Sequence, residues 1–314
     1  MILTYTARAE DAGRKVYSVL RREMRISQTL ARRLKRCGAI EVDGKAVFAD
    51  YVLSPGDVVR VDVLAGEESS GNVPERGAIE ILFENEGLLA VNKPAGLITH
   101  PSFARYTGTL ANFVAGYLKE KGEGETCHAV NRLDRDTSGV VLFAKNGYMK
   151  ALASEALLRE DARKEYRALV CGVPEPLCGT VDKPIKRLRE RDMLRVTAAD
   201  GQRAVTHYET LRVYRLGEKR VSLLRLQLET GRTHQIRVHL LDIGTPILGD
   251  GLYYTDESRA LSNALGAAAQ ALHASCLRFT EPLSGECLAI CAPEPPAFSE
   301  ICRRMQQVWP ETAP

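Results

Sequence analysis

The chain reads as an α+β protein with a mostly antiparallel sheet and flanking helices, preceded by a small α/β module. Three observations predict this. Short apolar or alternating runs, the mark of strands, outnumber the helical patterns, and the helices fall among them without a strict strand-helix-strand beat. Residues 1–63 carry their own order of helix, basic helix, hairpin, turn and strand. A polar, periodless stretch at 64–78, with Gly66-Glu67-Glu68-Ser69-Ser70-Gly71-Asn72 at its centre, reads as a flexible linker to a second domain at 79–314.

Bulk properties set the limits. At 314 residues, with 45% apolar and 26% charged side chains, the chain has material for a real core and two domains. The net charge of +3 is uninformative unless the cations cluster. No apolar run approaches the ~18 residues of a membrane span, and Met1-Ile2-Leu3-Thr4-Tyr5 lacks the plan of a signal peptide. The 8 cysteines are scattered without a Cys-x-x-Cys pair, which predicts free thiols in a reducing cytoplasm and no zinc site.

In chain order, residues 1–12 read as an exposed strand or arm. The next segment is helical and basic, with Arg21, Arg22, Arg32, Arg33, Lys35 and Arg36 among its cations. Ser27 is a good N-cap for a second helix whose apolar stripe is Leu30, Ala31 and Leu34, stopped by Cys37-Gly38. Ile40 to Val47 is a hairpin with an Asp43-Gly44 turn, and Pro55-Gly56 leads into a strand. A solvated basic face is the plain reading of such a charge run. Cations on consecutive helices beside this strand pattern favour an RNA-binding surface instead.

In the second domain, two strands lie between Ile79 and Ile98, a helix covers Leu110 to Lys121, and Asn146 caps a helix to about Asp161. Tyr166 sits on a strand in parity with Ala168 and Val170. Residues 179–208 read as a loop rich in cations, Lys183, Lys186, Arg187, Arg189, Arg191 and Arg195. Leu223 to Leu228 alternates as a strand, Thr233 to Asp242 reads as a helix, and a last strand (286–292) precedes a helix from Phe298 to Val308.

The stretch that carries chemistry is Arg132-Leu133-Asp134-Arg135-Asp136-Thr137-Ser138-Gly139, running into the buried strand Val140-Val141-Leu142-Phe143-Ala144. In an extended chain Arg132 and Asp134 share a face while Leu133 anchors the backbone from behind. Asp134 alternatively caps the turn, accepting from the amides near Thr137 and Ser138. This run resembles the signature of the RluA family of pseudouridine synthases. Matches continue at Asn92-Lys93-Pro94-Ala95-Gly96-Leu97, at Lys164-Glu165-Tyr166-Arg167-Ala168-Leu169-Val170 and from Leu228 to Leu240, then at Gly249-Asp250 and Leu272-His273-Ala274. The resemblance spans about residues 79–295. Asn131 departs from a common His and Thr280-Glu281-Pro282 from a common His-Pro; neither touches the residues assigned to chemistry. The N-terminal module resembles the small S-four-type RNA-binding domain.

The resemblance implies the pseudouridine synthase fold, a long bent mixed sheet with the active cleft across its middle. It implies isomerisation of a uridine in structured RNA, with large-subunit ribosomal RNA favoured over transfer RNA by the basic module. Breaking the bond from base to sugar, turning the base and rejoining through C5 involves no redox change, so no cofactor and no metal is demanded. By resemblance Asp134 is the catalytic carboxylate, attacking the sugar or taking a proton from it. Arg232 is its guanidinium partner, an attraction on the order of 4 kcal/mol at ~4 Å and an effective dielectric near 20. Tyr166 stacks on the base. Arg132 enters the space the flipped base leaves, since a uridine must leave its stack to be reached. Lys186 and Arg187 grip phosphates, and the family implies a monomer. His234 and His239, five apart on one expected helix, face different ways and make a poor metal pair; His100, His128 and His273 read as structural. A silent RNA-binding scaffold and a hydrolase pairing Asp134 with Asp136 are the competing readings.

Overall fold

The computed structural model describes residues 1–67, 69–102, 105–190 and 192–309. Glu68 of the linker and Arg191 of the cationic stretch lie outside the described residues. The first 63 residues form β1 (Ile2–Thr6), α1 (Val16–Arg22), α2 (Gln28–Arg36), β2 (Ile40–Val42), β3 (Lys45–Ala46) and β4 (Val58–Asp62), the strands ordered β1-β4-β2-β3. Ser27 caps α2 by accepting the Leu30 amide at 3.1 Å. Leu30, Ala31 and Leu34 are buried, while Arg32, Lys35 and Arg36 are exposed. Arg33 is turned inward and donates to the Val63 carbonyl at 2.7 Å. Asp43 and Gly44 both take positive φ (49° and 74°), the geometry that a two-residue hairpin turn demands.

This module is packed against the larger part of the chain. Tyr148 donates its hydroxyl to the Met24 carbonyl at 2.9 Å, and Arg25 pairs with Glu155 at 3.3 Å. The apolar residues of the module and of the helix bearing Tyr148 belong to one buried cluster.

The larger part begins with β5 (Glu80–Glu84), β6 (Leu88–Lys93), α3 (Leu110–Glu120), β7 (His128–Ala129), β8 (Ser138–Ala144), α4 (Gly147–Ala156) and β9 (Arg163–Cys171). Next come β10 (Cys178–Asp182), β11 (Ile185–Arg187), β12 (Arg195–Thr197), β13 (Val205–Leu216), β14 (Lys219–Leu228), α5 (Gln235–Asp242) and α6 (Asp256–Leu265). The chain ends with β15 (Leu272–Thr280), β16 (Cys287–Cys291), α7 (Pro296–Arg303) and β17 (Gln306–Trp309). Among the described residues 11 strands make one sheet, eight along the path β10-β13-β14-β9-β15-β8-β6-β5 and three beside it, β16 on β15, β17 on β13 and β7 on β8, so the fold is α+β and mostly antiparallel. Its parallel joint is β8 against β15, where Ser138 faces His273 and Gly139 faces Ala274. Gly139 has φ of 112°, and a Cβ there would lie 2.2 Å from the Ala274 carbonyl oxygen, so only glycine lets the strands close.

Several expectations are corrected. The 64–78 stretch, read as flexible, is strapped down. Glu67 accepts the Gly147 amide at the start of α4, and Asn72 donates to the Cys127 carbonyl at 3.0 Å. Asn112 donates to the Val73 carbonyl at 2.9 Å, and Glu75 accepts the Gly108 amide at 2.6 Å. Its polar residues lack a period because each serves a separate partner. The expected cationic loop at 179–208 holds β10, β11 and β12. Helix α4 stops at Ala156, α5 starts at Gln235 rather than Thr233, and the terminal helix yields to β17. Two cysteines expected to be free, Cys276 and Cys291, face each other across β15 and β16 and form a disulfide. They are 15 residues apart, and only the strand register brings them together.

Candidate active site

The signature segment enters β8 at the parallel joint, in the middle of the sheet. Asn131 imitates a strand backbone: its amide donates to the Val140 carbonyl at 3.1 Å and its oxygen accepts the Leu142 amide at 2.7 Å. That accounts for one departure from the family pattern. The other, Glu281, caps the β15–β16 turn by accepting the Leu283 and Ser284 amides. Leu133 is buried and Arg132 exposed, with the Asp134 side chain 30% exposed, as alternation requires. The turn is closed by the Asp134 carbonyl accepting the Thr137 amide at 3.2 Å. The Asp134 carboxylate is thereby free of the capping duty that the sequence leaves open.

From below, the turn is held by Lys93, which is fully buried at the end of β6. Its ammonium donates to the carbonyls of Pro94 (3.0 Å), Leu97 (2.7 Å) and Arg135 (2.8 Å). Burial pulls its pKa down to about 8, against the pull of Asp136 and Asp134. Thr99 donates to the Leu133 carbonyl at 2.8 Å and Gln270 to the Thr137 hydroxyl.

The guanidinium that meets Asp134 belongs to Arg237, not Arg232. From the first turn of α5, Arg237 donates Nη1 to Asp134 at 2.9 Å. Its Nε and Nη2 bind both oxygens of Asp250 at 2.7 and 2.8 Å, and the fork lies 4.9 Å over the Tyr253 ring. Asp250 is fixed in turn by the Leu252 and Tyr253 amides at 2.9 and 3.0 Å. Burial works against the Arg237 charge, but the bonds to Asp250 and Asp134 outweigh it and raise its pKa. Arg232 is exposed before the helix, its Nε donating to the Arg203 carbonyl at 3.0 Å. The residue pattern alone puts the helix start two residues early, which makes Arg232 the cation at a helix end. The useful signal was Asp250 in the Gly249-Asp250 match, a carboxylate in want of a partner.

Tyr166 lies half-buried on β9 and lines the same cleft as Asp134. Burial, with the Asp134 charge adding to it, pushes its pKa up to about 12, so it is a neutral phenol at physiological pH. His234, to which the sequence assigns no role, precedes α5 in the left-handed region (φ 59°) and is therefore not on the helix with His239. The Arg195 amide donates to the Tyr253 hydroxyl at 2.8 Å, and the same hydroxyl is hydrogen-bonded to His234 Nδ1, also at 2.8 Å. The other ring nitrogen of His234, Nε2, stands 3.9 Å from the Asp134 carboxylate. Burial lowers the His234 pKa and keeps the ring neutral. His239 is spent elsewhere, on the Thr206 hydroxyl and the Lys183 carbonyl, both at 2.9 Å.

Above the pair opens a cleft of about 700 Å³ bordered by His100, Arg132, Asp134, Tyr166 and Arg232. Asp136 is turned away and pairs with Arg135 at 2.8 Å, which removes the facing carboxylates that a hydrolase needs. Of the other cations, Lys186 pairs with Asp200 at 2.8 Å and Arg187 donates to the Glu190 carbonyl at 3.0 Å; with Arg232 they line a pocket beside the cleft. Arg21 and Arg22 end α1 on the exposed side, Arg21 donating to the Ile26 carbonyl. No helix among the described residues is long and apolar enough to cross a membrane.

The arrangement suits nucleophilic or proton-transfer chemistry: a carboxylate open to solvent on one side, locked by a guanidinium on the other, with an aromatic wall beside it. Residues 87–242 match the family model described as RNA pseudouridylate synthase. The chain is 36% identical over 291 residues to an uncharacterized RNA pseudouridine synthase, YhcT, of Bacillus subtilis, covering 93% of each chain. It is 36% identical over 272 residues to the ribosomal large subunit pseudouridine synthase D of Zymomonas mobilis, covering 83% of this chain and 84% of that one. Among solved structures, human RNA pseudouridylate synthase domain containing 4 superposes with a TM-score of 0.59 at 27% identity, over 74% of this chain and 95% of that one.

Proposed function

The chain belongs to the RNA pseudouridylate synthase family and is an RNA pseudouridine synthase, and from that premise we propose that it isomerises a uridine of large-subunit ribosomal RNA with Asp134 as the catalytic carboxylate. The observation that carries the role of Asp134 is its bond to Arg237 at the floor of an open cleft. One carboxylate oxygen is oriented by the guanidinium, and the exposed edge is left to meet the sugar of a flipped nucleotide. Tyr166, a neutral phenol, supplies the stacking face. Arg132, on the same side of the chain as Asp134, fills the gap in the RNA stack. His234 presents Nε2 beside the carboxylate, at 3.9 Å, as a polar contact for a base or ribose oxygen. Relatives named for the ribosomal large subunit support the choice of RNA; an enzyme on that substrate works in the cytoplasm.

On this reading residues 1–63 are an RNA-binding module that presents Arg32, Lys35 and Arg36, residues 64–78 strap it down, and 79–314 hold the catalysis. The test is carbodiimide mapping of pseudouridine in ribosomal RNA from cells with the protein, without it, and with Asp134→Asn. One large-subunit position should lose its signal in the last two. An unchanged map in cells lacking the protein refutes the ribosomal assignment.

A further inference from the structure

A second groove joins the cleft along one side. Its volume is about 580 Å³, and its cations are Arg159, Arg163, Lys164 and Arg203 against the carboxylates Glu160 and Glu229. Leu157, Leu158, Lys164, Leu228 and Glu229 line both spaces, so the two are continuous. Two features of the junction call for an occupant. Lys164 stands two residues before Tyr166 on β9, on the same face, half-buried, and its ammonium has no hydrogen-bond or ion-pair partner among the described residues. Burial lowers its pKa, the expected cost of a cation held without an anion. Beyond the end of α4, Leu158 is 81% exposed at the same junction, a large apolar side chain turned to solvent.

We propose that this groove carries the RNA strand adjoining the target uridine, with Lys164 on a backbone phosphate at the junction and Leu158 packed on the base beside the vacated position. The proposal rests on the enzyme being an RNA pseudouridine synthase. An RNA strand supplies both missing partners at once. Its phosphate answers the unpaired ammonium, and a base face exposed by flipping answers an apolar side chain standing at the rim. The surplus of cations over carboxylates in the groove favours a polyanion, and its continuity with the cleft gives the strand a path. Lys183 and Lys186 are already paired with Asp242 and Asp200 at 2.6 and 2.8 Å, and within the groove Arg203 is paired with Glu229 at 2.8 Å and Arg159 with Asp161 at 3.3 Å, so among these cations it is Lys164 at the junction that is left for a phosphate.

The test uses the full chain with Lys164→Gln, Lys164→Arg, Arg163→Gln and Leu158→Ser, on in vitro transcribed large-subunit ribosomal RNA. Binding is measured across a salt series, and isomerisation under single-turnover and saturating conditions. Lys164→Gln and Arg163→Gln should each lower the salt slope by about 1 and weaken binding several-fold, with Lys164→Arg restoring both. Leu158→Ser should weaken binding about fivefold with the salt slope unchanged, because an apolar contact releases no counterions. KM should rise more than kcat falls. Wild-type affinity and slope in both Arg163→Gln and Leu158→Ser overturn the proposal, and so does a fall in kcat of Lys164→Gln at unaltered affinity. If the wild-type protein binds but isomerises no uridine, the functional reading has failed instead, and the binding series still decides the groove.

Discussion

Replacing Arg237 by lysine tests the central geometry with the charge kept. The guanidinium makes three bonds, one to Asp134 at 2.9 Å and two to Asp250 at 2.7 and 2.8 Å. A lysine ammonium is a point donor and cannot bridge two carboxylates in the plane that the fork sets. It loses at least one charge-assisted bond, about 1.5–3 kcal/mol, and frees the Asp134 carboxylate to rotate. If the lost bond is the one to Asp134, the loss falls on the chemical step, and about 1.4 kcal/mol per factor of ten gives a fall of roughly 10- to 150-fold in kcat. Arg232→Lys should stay within about threefold, since among the described residues its guanidinium is hydrogen-bonded only to the carbonyl of Arg203. The assay is tritium release from RNA carrying [5-³H]uridine, because C5 gives up its hydrogen when it joins the sugar. Thermal melting run alongside separates lost catalysis from lost fold. A larger defect in Arg232→Lys than in Arg237→Lys would falsify the pairing argument.

Four more outcomes are expected. Asp134→Asn should abolish tritium release while RNA affinity stays within a few-fold, and joint loss of affinity and melting temperature would make Asp134 structural. Lys93→Met strands three carbonyls that now share one ammonium, so stability should drop by about 3–5 kcal/mol; an unshifted denaturant midpoint contradicts this. Arg32, Lys35 and Arg36 changed together to Gln should lower the salt slope of RNA binding by about 2–3, and an unchanged slope removes the module from the RNA interface. Burial lowers the pKa of His100, His234, His239 and His273. The unfolded chain therefore binds more protons below its ordinary histidine pKa near 6.5, and stability falls as pH drops through that value, by up to ~1.4 kcal/mol per pH unit for each histidine. A melting temperature flat from pH 8 to pH 5 would show that these rings are not buried neutral.

Local chemistry was legible where one residue decides. Ser27 and Asn146 cap the helices assigned to them, each accepting an amide three residues on. Asp43-Gly44 makes its hairpin, and Leu133 points inward with Asp134 outward. What escaped depends on contacts between distant segments. The Asp134–Arg237 bond spans 103 residues and could be read only through the helix boundary, which a left-handed His234 shifts by two positions. The parallel joint between β8 and β15 leaves no local trace beyond Gly139. The disulfide needs the register of two strands, and the strap at 64–78 looked loose because side chains on other segments supply its order.

That strap, together with the contacts of Tyr148 and Arg25, fixes the span from the basic helix to the reactive carboxylate. On the proposed reading the enzyme is a caliper with locked jaws. If the helix grips RNA as proposed, modification requires a folded RNA that sets a uridine at that one distance from it, and the choice among many uridines is made by tertiary spacing before any base is read.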